Sequence, residues 1–164
     1  MKRVRKGLIL AVVLAVAAGC DRGSHPDQIG KPAPQFAVSD GQESVNLGAL
    51  RGHVVLLNFW ATWCGPCIQE LPALEQMQRD LPQVSVVTVS TDEDEAAYRS
   101  FLARYRVSLL SVREGNNKAN ELYGSIRYPE TYVIDKDGII RRKFIGPQDW
   151  TSAEIENYLK KLAS

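Results

Sequence analysis

Val54-Val-Leu-Leu-Asn-Phe-Trp60, an almost wholly apolar run, passes through Ala61-Thr-Trp63 into Cys64-Gly-Pro-Cys67. Such a run suits a central strand covered on both faces. From Pro66 onward Ile68, Leu71, Leu74, Met77 and Leu81 recur at helical spacing, so a helix follows at once. Cys64 therefore falls where strand gives way to helix, and the unpaired N–H groups of the first turn point at its sulfur. The helix dipole adds positive potential there. Both favour thiolate over thiol, and thiols in Cys-x-x-Cys settings titrate from roughly 3.5 to 7.5 instead of about 8.5. Cys67, one turn on and facing inward, is within reach of Cys64 and is expected to stay protonated until it resolves a mixed disulfide. Gly65 and Pro66 suit the tight start, because proline in a first helical turn misses no N–H. The pattern reads as a dithiol/disulfide exchange site.

A structural disulfide and half of a zinc site are the competing readings. Zinc takes about four ligands, and besides this pair the chain offers only Cys20, His25 and His53, none spaced as a second pair.

Toward the N-terminus, Phe36-Ala-Val38 and Ser44-Val-Asn-Leu47 flank the turn Ser39-Asp-Gly41 and predict a hairpin. Downstream, Val84-Ser-Val-Val-Thr-Val-Ser90 predicts the next strand. Thr91 or Asp92 then caps a helix to about Tyr105, with Asp92, Glu93, Asp94 and Glu95 over its positive end. That acidic cluster also admits a docking patch, but helix-start chemistry accounts for it. Pro72 lies inside the first helix, so a kink is expected. Val107 to Val112 predicts a strand, and Asn117 to Tyr123 a short helix closed by Gly124. Thr131-Tyr-Val-Ile134, the turn Asp135-Lys-Asp-Gly138 and Ile139 to Ile145 predict a second hairpin. Thr151 with Glu154 reads as a capping box for a last helix lined by Ile155, Tyr158, Leu159 and Leu162. The order is hairpin, βαβαβ, a short helix, then ββα. It predicts an α/β domain with a mostly parallel sheet covered on both faces and an antiparallel hairpin at one side.

At 164 residues the chain suits one domain with room for a core, and its composition is ordinary and globular, without internal repeats. The formal charge of +1 is misleading. Four of the twenty basic residues, Lys2, Arg3, Arg5 and Lys6, precede the first apolar run, and all nineteen acidic ones follow Cys20. From Cys20 onward, sixteen positive charges stand against nineteen negative ones, or −3. Neither figure suggests a nucleic-acid partner. Residues 1–19 read as a secretory signal: a basic start, the apolar run Leu8 to Ala18, then small residues. An uncleaved transmembrane anchor is the alternative, but spanning a bilayer takes about 20 apolar residues. Val16-Ala-Ala-Gly-Cys20 resembles the bacterial lipobox, which implies cleavage before Cys20 and lipid on its sulfur. Asp21 after it resembles the signal that retains such lipoproteins in the inner membrane. Residues 20–28 then read as a polar tether and residues 29–164 as the folded domain. The implied address is the outer face of the cytoplasmic membrane, an oxidising place where disulfides persist.

The element order together with Trp63-Cys-Gly-Pro-Cys67 resembles the thioredoxin fold. The match is closer to the TlpA/ResA-like thiol-disulfide oxidoreductases, its membrane-tethered extracytoplasmic branch, which include cytochrome c maturation reductases. Gly30-Lys-Pro-Ala-Pro-Gln-Phe36 resembles the lead-in to that branch's N-terminal hairpin, and Tyr128-Pro-Glu-Thr-Tyr-Val-Ile-Asp135 resembles the loop bearing the family's cis-proline. The resemblance implies a thioredoxin-like α/β fold, a central mixed sheet flanked by helices with an added N-terminal β-hairpin. It implies Cys64 as attacking thiolate, Cys67 as resolving thiol, and a cis Pro129 against the pair, where a strand-start proline is the alternative. Pro129 has no N–H, which leaves the backbone of Tyr128 to pair with a substrate strand. Trp63, Gly65, Pro66, Tyr128 and Glu130 are the implied substrate contacts. Asn58 stands where thioredoxin has a buried aspartate that moves the resolving thiol's proton. Asparagine cannot do so, which leaves Glu70, one helical turn beyond Cys67, and Glu130 as candidate bases. Either is equally read as a solvated charge. Trp60 is expected in the core and Trp63 on an exposed rim beside the sulfur.

Four functions compete. The first is a reductase of disulfides in exported proteins, with apocytochrome c a candidate client, recharged by a membrane thiol carrier and needing no cofactor beyond its own cysteine pair. The second is an oxidant that donates its disulfide; Gly-Pro between the cysteines is the dipeptide of reducing thioredoxin and favours the first. The third is a non-catalytic binding module, but such modules usually lose a cysteine. The fourth is a peroxidase, for which the Pro-x-x-x-Thr-x-x-Cys nucleophile is missing from the sequence.

Overall fold

The computed structural model describes residues 28–164. The expected signal segment 1–19, Cys20 and the expected tether as far as Asp27 lie outside the described residues. Seven strands and four α-helices follow in the order β1 (Ala37–Ser39), β2 (Ser44–Asn46), β3 (Val54–Trp60), α1 (Gly65–Asp80), β4 (Val84–Ser90), α2 (Glu95–Tyr105), β5 (Leu110–Arg113), α3 (Lys118–Tyr123), β6 (Glu130–Ile134), β7 (Ile140–Ile145) and α4 (Ala153–Ala163). β1 and β2 form the separate N-terminal hairpin, and the other five strands form one sheet in the order β5-β4-β3-β6-β7. This is the thioredoxin-like fold with an added hairpin that the motifs imply.

The sheet is more evenly mixed than the strand–helix alternation predicts. β3, β4 and β5 run parallel, whereas β6 is antiparallel to β3 and β7 to β6. The cause is the short α3, which carries the chain across the top of the sheet without returning it to the bottom. β6 thus starts at the end of the sheet where β3 stops.

All seven residues of β3 are buried, and their alternation divides the core in two. Val54, Leu56 and Trp60 pack with Cys67, Leu71 and Leu74 of α1, Tyr98 of α2 and Leu159 of α4. Val55, Leu57 and Phe59 pack with Ala119 and Tyr123 of α3 and with Phe36, Val45 and Leu47 around the hairpin. The hairpin turn is clamped to the domain through Asp40, whose carboxylate pairs with Arg99 of α2 at 2.9 Å and accepts the Arg113 N–H of β5 at 3.0 Å.

Three local expectations are corrected. Asp94, not Thr91 or Asp92, caps α2 by accepting the Ala97 N–H at 3.0 Å, because Asp92 is turned inward. β5 begins only at Leu110, since Arg106 (φ 52°) closes α2 in the left-handed region and Val107 N–H bonds back to the Leu102 carbonyl. Thr151 and Glu154 form no capping box. Asp149 captures the Thr151 hydroxyl at 2.8 Å in a local turn, α4 starts after Ser152, and Glu154 lies 3.5 Å from Arg142. α1 runs unbroken from Gly65 through Pro72.

Candidate active site

Cys64 is the N-cap of α1, in extended conformation, and its Sγ accepts the Cys67 N–H at 3.3 Å. Sulfur thus occupies the place that a Ser or Asp oxygen takes at most helix starts. A negative charge there is stabilised by that N–H and by the dipole of a 16-residue helix. Cys64 and Cys67 are joined as a disulfide, with Cα atoms 5.3 Å apart. Cys67 is fully enclosed, whereas Gly65 and Pro66 beside it are exposed.

The segment leading to Cys64 is held by a group that helix-start reasoning misplaced. Asp92, buried at the end of β4, accepts the Thr62 N–H at 3.0 Å and the Thr62 hydroxyl at 2.6 Å. The Ser90 hydroxyl donates to the same carboxylate at 2.6 Å. An acidic residue closing an apolar strand as Ser90-Thr91-Asp92 was the available signal, but helix-start chemistry claimed it.

Glu70 is 4% exposed, so it is not a solvated helix charge. Its Oε1 accepts Asn58 Nδ2 at 2.9 Å; its Oε2 accepts Trp150 Nε1 at 3.1 Å and the Gln148 N–H at 3.2 Å. Burial pushes the carboxyl above the ordinary glutamate range, and the three donors pull it back only in part. Asn58 uses its second amide hydrogen on Thr131 Oγ1, 2.9 Å away on β6. Asn58 therefore acts as a donor that orients Glu70 and cannot itself take a proton. Trp150 and Gln148, in the loop before α4, have no local sequence signal that would have found them.

The Tyr128–Pro129 peptide is cis, and Pro129 is buried. The β3–β6 register pairs Phe59 with Glu130, so Pro129 stands across from Trp60 at the strand end that leads to Cys64. Tyr128 is half-buried, its hydroxyl 2.7 Å from Asn120 Nδ2 and its ring edge-on to Trp63 with centroids 5.9 Å apart. Trp60 is fully buried and Trp63 is 68% exposed, as expected of each.

Glu130 departs from expectation. It is fully buried, pairs with Lys143 at 3.1 Å and accepts the Arg127 N–H at 3.2 Å, so it offers no surface to a substrate. Strand alternation turns Glu130 to the opposite face of β6 from Thr131, away from Asn58 and Glu70. Of the two glutamates, Glu70 is the one on the helix that carries Cys67.

The family model described as Redoxin matches residues 28–162. The thiol-disulfide oxidoreductase ResA of Bacillus anthracis is 35% identical over 164 residues, covering 94% of each chain. The thiol:disulfide interchange protein DsbE of Pseudomonas fluorescens biotype C is 33% identical over 159 residues, covering 91% of this chain and 88% of that one. Among solved structures, a candidate DsbE-type interchange protein from Chlorobium tepidum superposes with a TM-score of 0.77 at 29% identity, over 83% of this chain and 98% of that one.

Proposed function

We propose, for a chain that belongs to the redoxin family and to its TlpA/ResA-like thiol-disulfide oxidoreductases, that the Cys64/Cys67 dithiol reduces disulfides in exported proteins. The observation that carries this reading is the Cys64 sulfur at the helix cap, accepting the Cys67 N–H, with a buried carboxyl one turn beyond. The Cys64 thiolate attacks one sulfur of the client disulfide and expels the other as a thiolate. Glu70 takes the Cys67 proton, and Cys67 then attacks Cys64, releasing the second client thiolate. One client thiolate takes the Cys67 proton from Glu70 and the other takes a proton from solvent, so the client gains two electrons and two protons and the Cys64–Cys67 disulfide is the spent form. A membrane dithiol carrier restores it.

Tyr128 contributes backbone to an added client strand beside the cis Pro129, while Trp63, Gly65 and Pro66 form the rim over which that strand lies. The names of the ResA and DsbE relatives support protein thiols as substrates, and apocytochrome c is the proposed client class. Lipid on Cys20 holds the domain at the outer face of the cytoplasmic membrane, a reading supported by the leader and Val16-Ala-Ala-Gly-Cys20.

Equilibration against glutathione buffers tests the direction. A potential near thioredoxin's, about −270 mV, is expected; one near about −120 mV, that of a strong oxidant, would falsify the reductase reading. Cys67→Ser should trap mixed disulfides with clients, and Cys64→Ser should trap none. Mass spectrometry should find acylated Cys20 at the mature N-terminus, and an unmodified N-terminus downstream of it refutes the anchor.

A further inference from the structure

Asn120 sits in α3 between Ala119 and Tyr123, two residues of the core, and is 3% exposed. Asparagine is a poor helix former, and its Oδ1 is buried without a hydrogen-bond partner. A half-satisfied amide in a core costs stability that an apolar side chain would not. Its Nδ2 makes one short bond, 2.7 Å to the Tyr128 hydroxyl. The same tyrosine ring meets the exposed indole of Trp63. A line of contact thus runs from α3 through Tyr128 to the aromatic rim beside Cys64.

We propose that Asn120 is a positioning residue for polypeptide substrates, pinning the Tyr128 phenol so that Tyr128 and Trp63 form a fixed wall for the client strand. This rests on the reading above, that the chain engages protein disulfides. Held side chains lose less freedom when a client binds, so pre-organisation strengthens binding. α3 packs on the face of the sheet opposite α1, which carries Cys67 and Glu70. Loss of Asn120 should therefore appear in the Michaelis constant for a polypeptide and not in the titration of the thiols.

The experiment is a double-mutant cycle on the full domain with Asn120→Ala, Tyr128→Phe and both together. Each is assayed for reduction of a disulfide-bonded unfolded polypeptide and of a small aromatic disulfide. Asn120→Ala should raise KM for the polypeptide about fivefold relative to the small disulfide, the span one neutral hydrogen bond can supply. In the Tyr128→Phe background the same change should add nothing, because the bond is already gone. An unchanged polypeptide KM, an equal effect in both backgrounds, or a moved thiol titration each overturns the assignment. A parent protein that reduces the small disulfide but no polypeptide overturns the broader reading and this one with it.

Discussion

Trp150→Phe isolates one of the three hydrogen bonds that oppose the effect of burial on Glu70. The indole N–H donates to Glu70 Oε2 at 3.1 Å, between two buried side chains, and Phe keeps a ring to pack against Phe144, whose centroid lies 5.3 Å away. A hydrogen bond to a charged group is worth about 1.5–3 kcal/mol to the charged form. Its removal leaves desolvation less opposed, so the carboxyl is pushed still higher. On the acid side of the pH profile the ionised fraction of Glu70 should fall about ten- to a hundredfold, because each 1.4 kcal/mol is about a factor of ten. The acid limb of kcat/KM should move to higher pH by the corresponding amount, while the alkaline plateau keeps most of its height. The assay is single-turnover reduction of a small aromatic disulfide across pH, with urea melts run beside it. Loss of activity by one factor at every pH would mean that Trp150 only packs. A shifted limb that survives in a Glu70→Gln background would mean that the titrating base is another group. Either result refutes the argument.

The same burial gives Glu70→Gln a stability sign. Glu70's folded-state pKa lies above its unfolded value, so its stabilisation is complete below the unfolded pKa and is lost as pH rises through the folded one. Glu70→Gln should then melt higher than the parent at neutral pH and lose that advantage in acid; a difference independent of pH argues against it. Asp40 has the opposite sign: burial alone would raise it, but Arg99 and the N–H groups of Glu43, Arg113 and Gln42 hold it at about 2. Its contribution is present above about pH 4 and is lost as pH falls toward 2. Asp40→Asn should cost about 1–2 kcal/mol at pH 7 after solvent screening, with the deficit closing in urea melts at acid pH. Asp92→Ala leaves the Thr62 N–H and hydroxyl without their acceptor and should destabilise by about 1–3 kcal/mol. Faster amide exchange at Thr62 and Trp63 should accompany that loss, and exchange confined to α2 would contradict the clamp.

Local patterns carried much of the way. The Cys64-Gly-Pro-Cys67 pair at the end of an apolar run located the disulfide at a helix start, because strand burial, helix spacing and the cap position are all determined within about twenty residues of chain. The same locality made both hairpins and α1 legible, and the turn chemistry of Asp135-Lys-Asp-Gly138 placed β6 beside β7. It failed at Thr151, where Asp149 and Glu154 compete within three residues and only packing chose between them, and at Asp92, whose partner Thr62 lies thirty residues back in the chain. The surroundings of Glu70 were beyond any local reading. Asn58, Thr131, Gln148 and Trp150 come from three distant parts of the chain, and whether Glu70 is solvated or enclosed depends on all of them. Strand parity separated the two glutamates: the β3–β6 register turns Thr131 toward Asn58 and sends Glu130 through the sheet to Lys143. A residue type states which proton it can hold; the dielectric and the donors around it are properties of the assembled sheet.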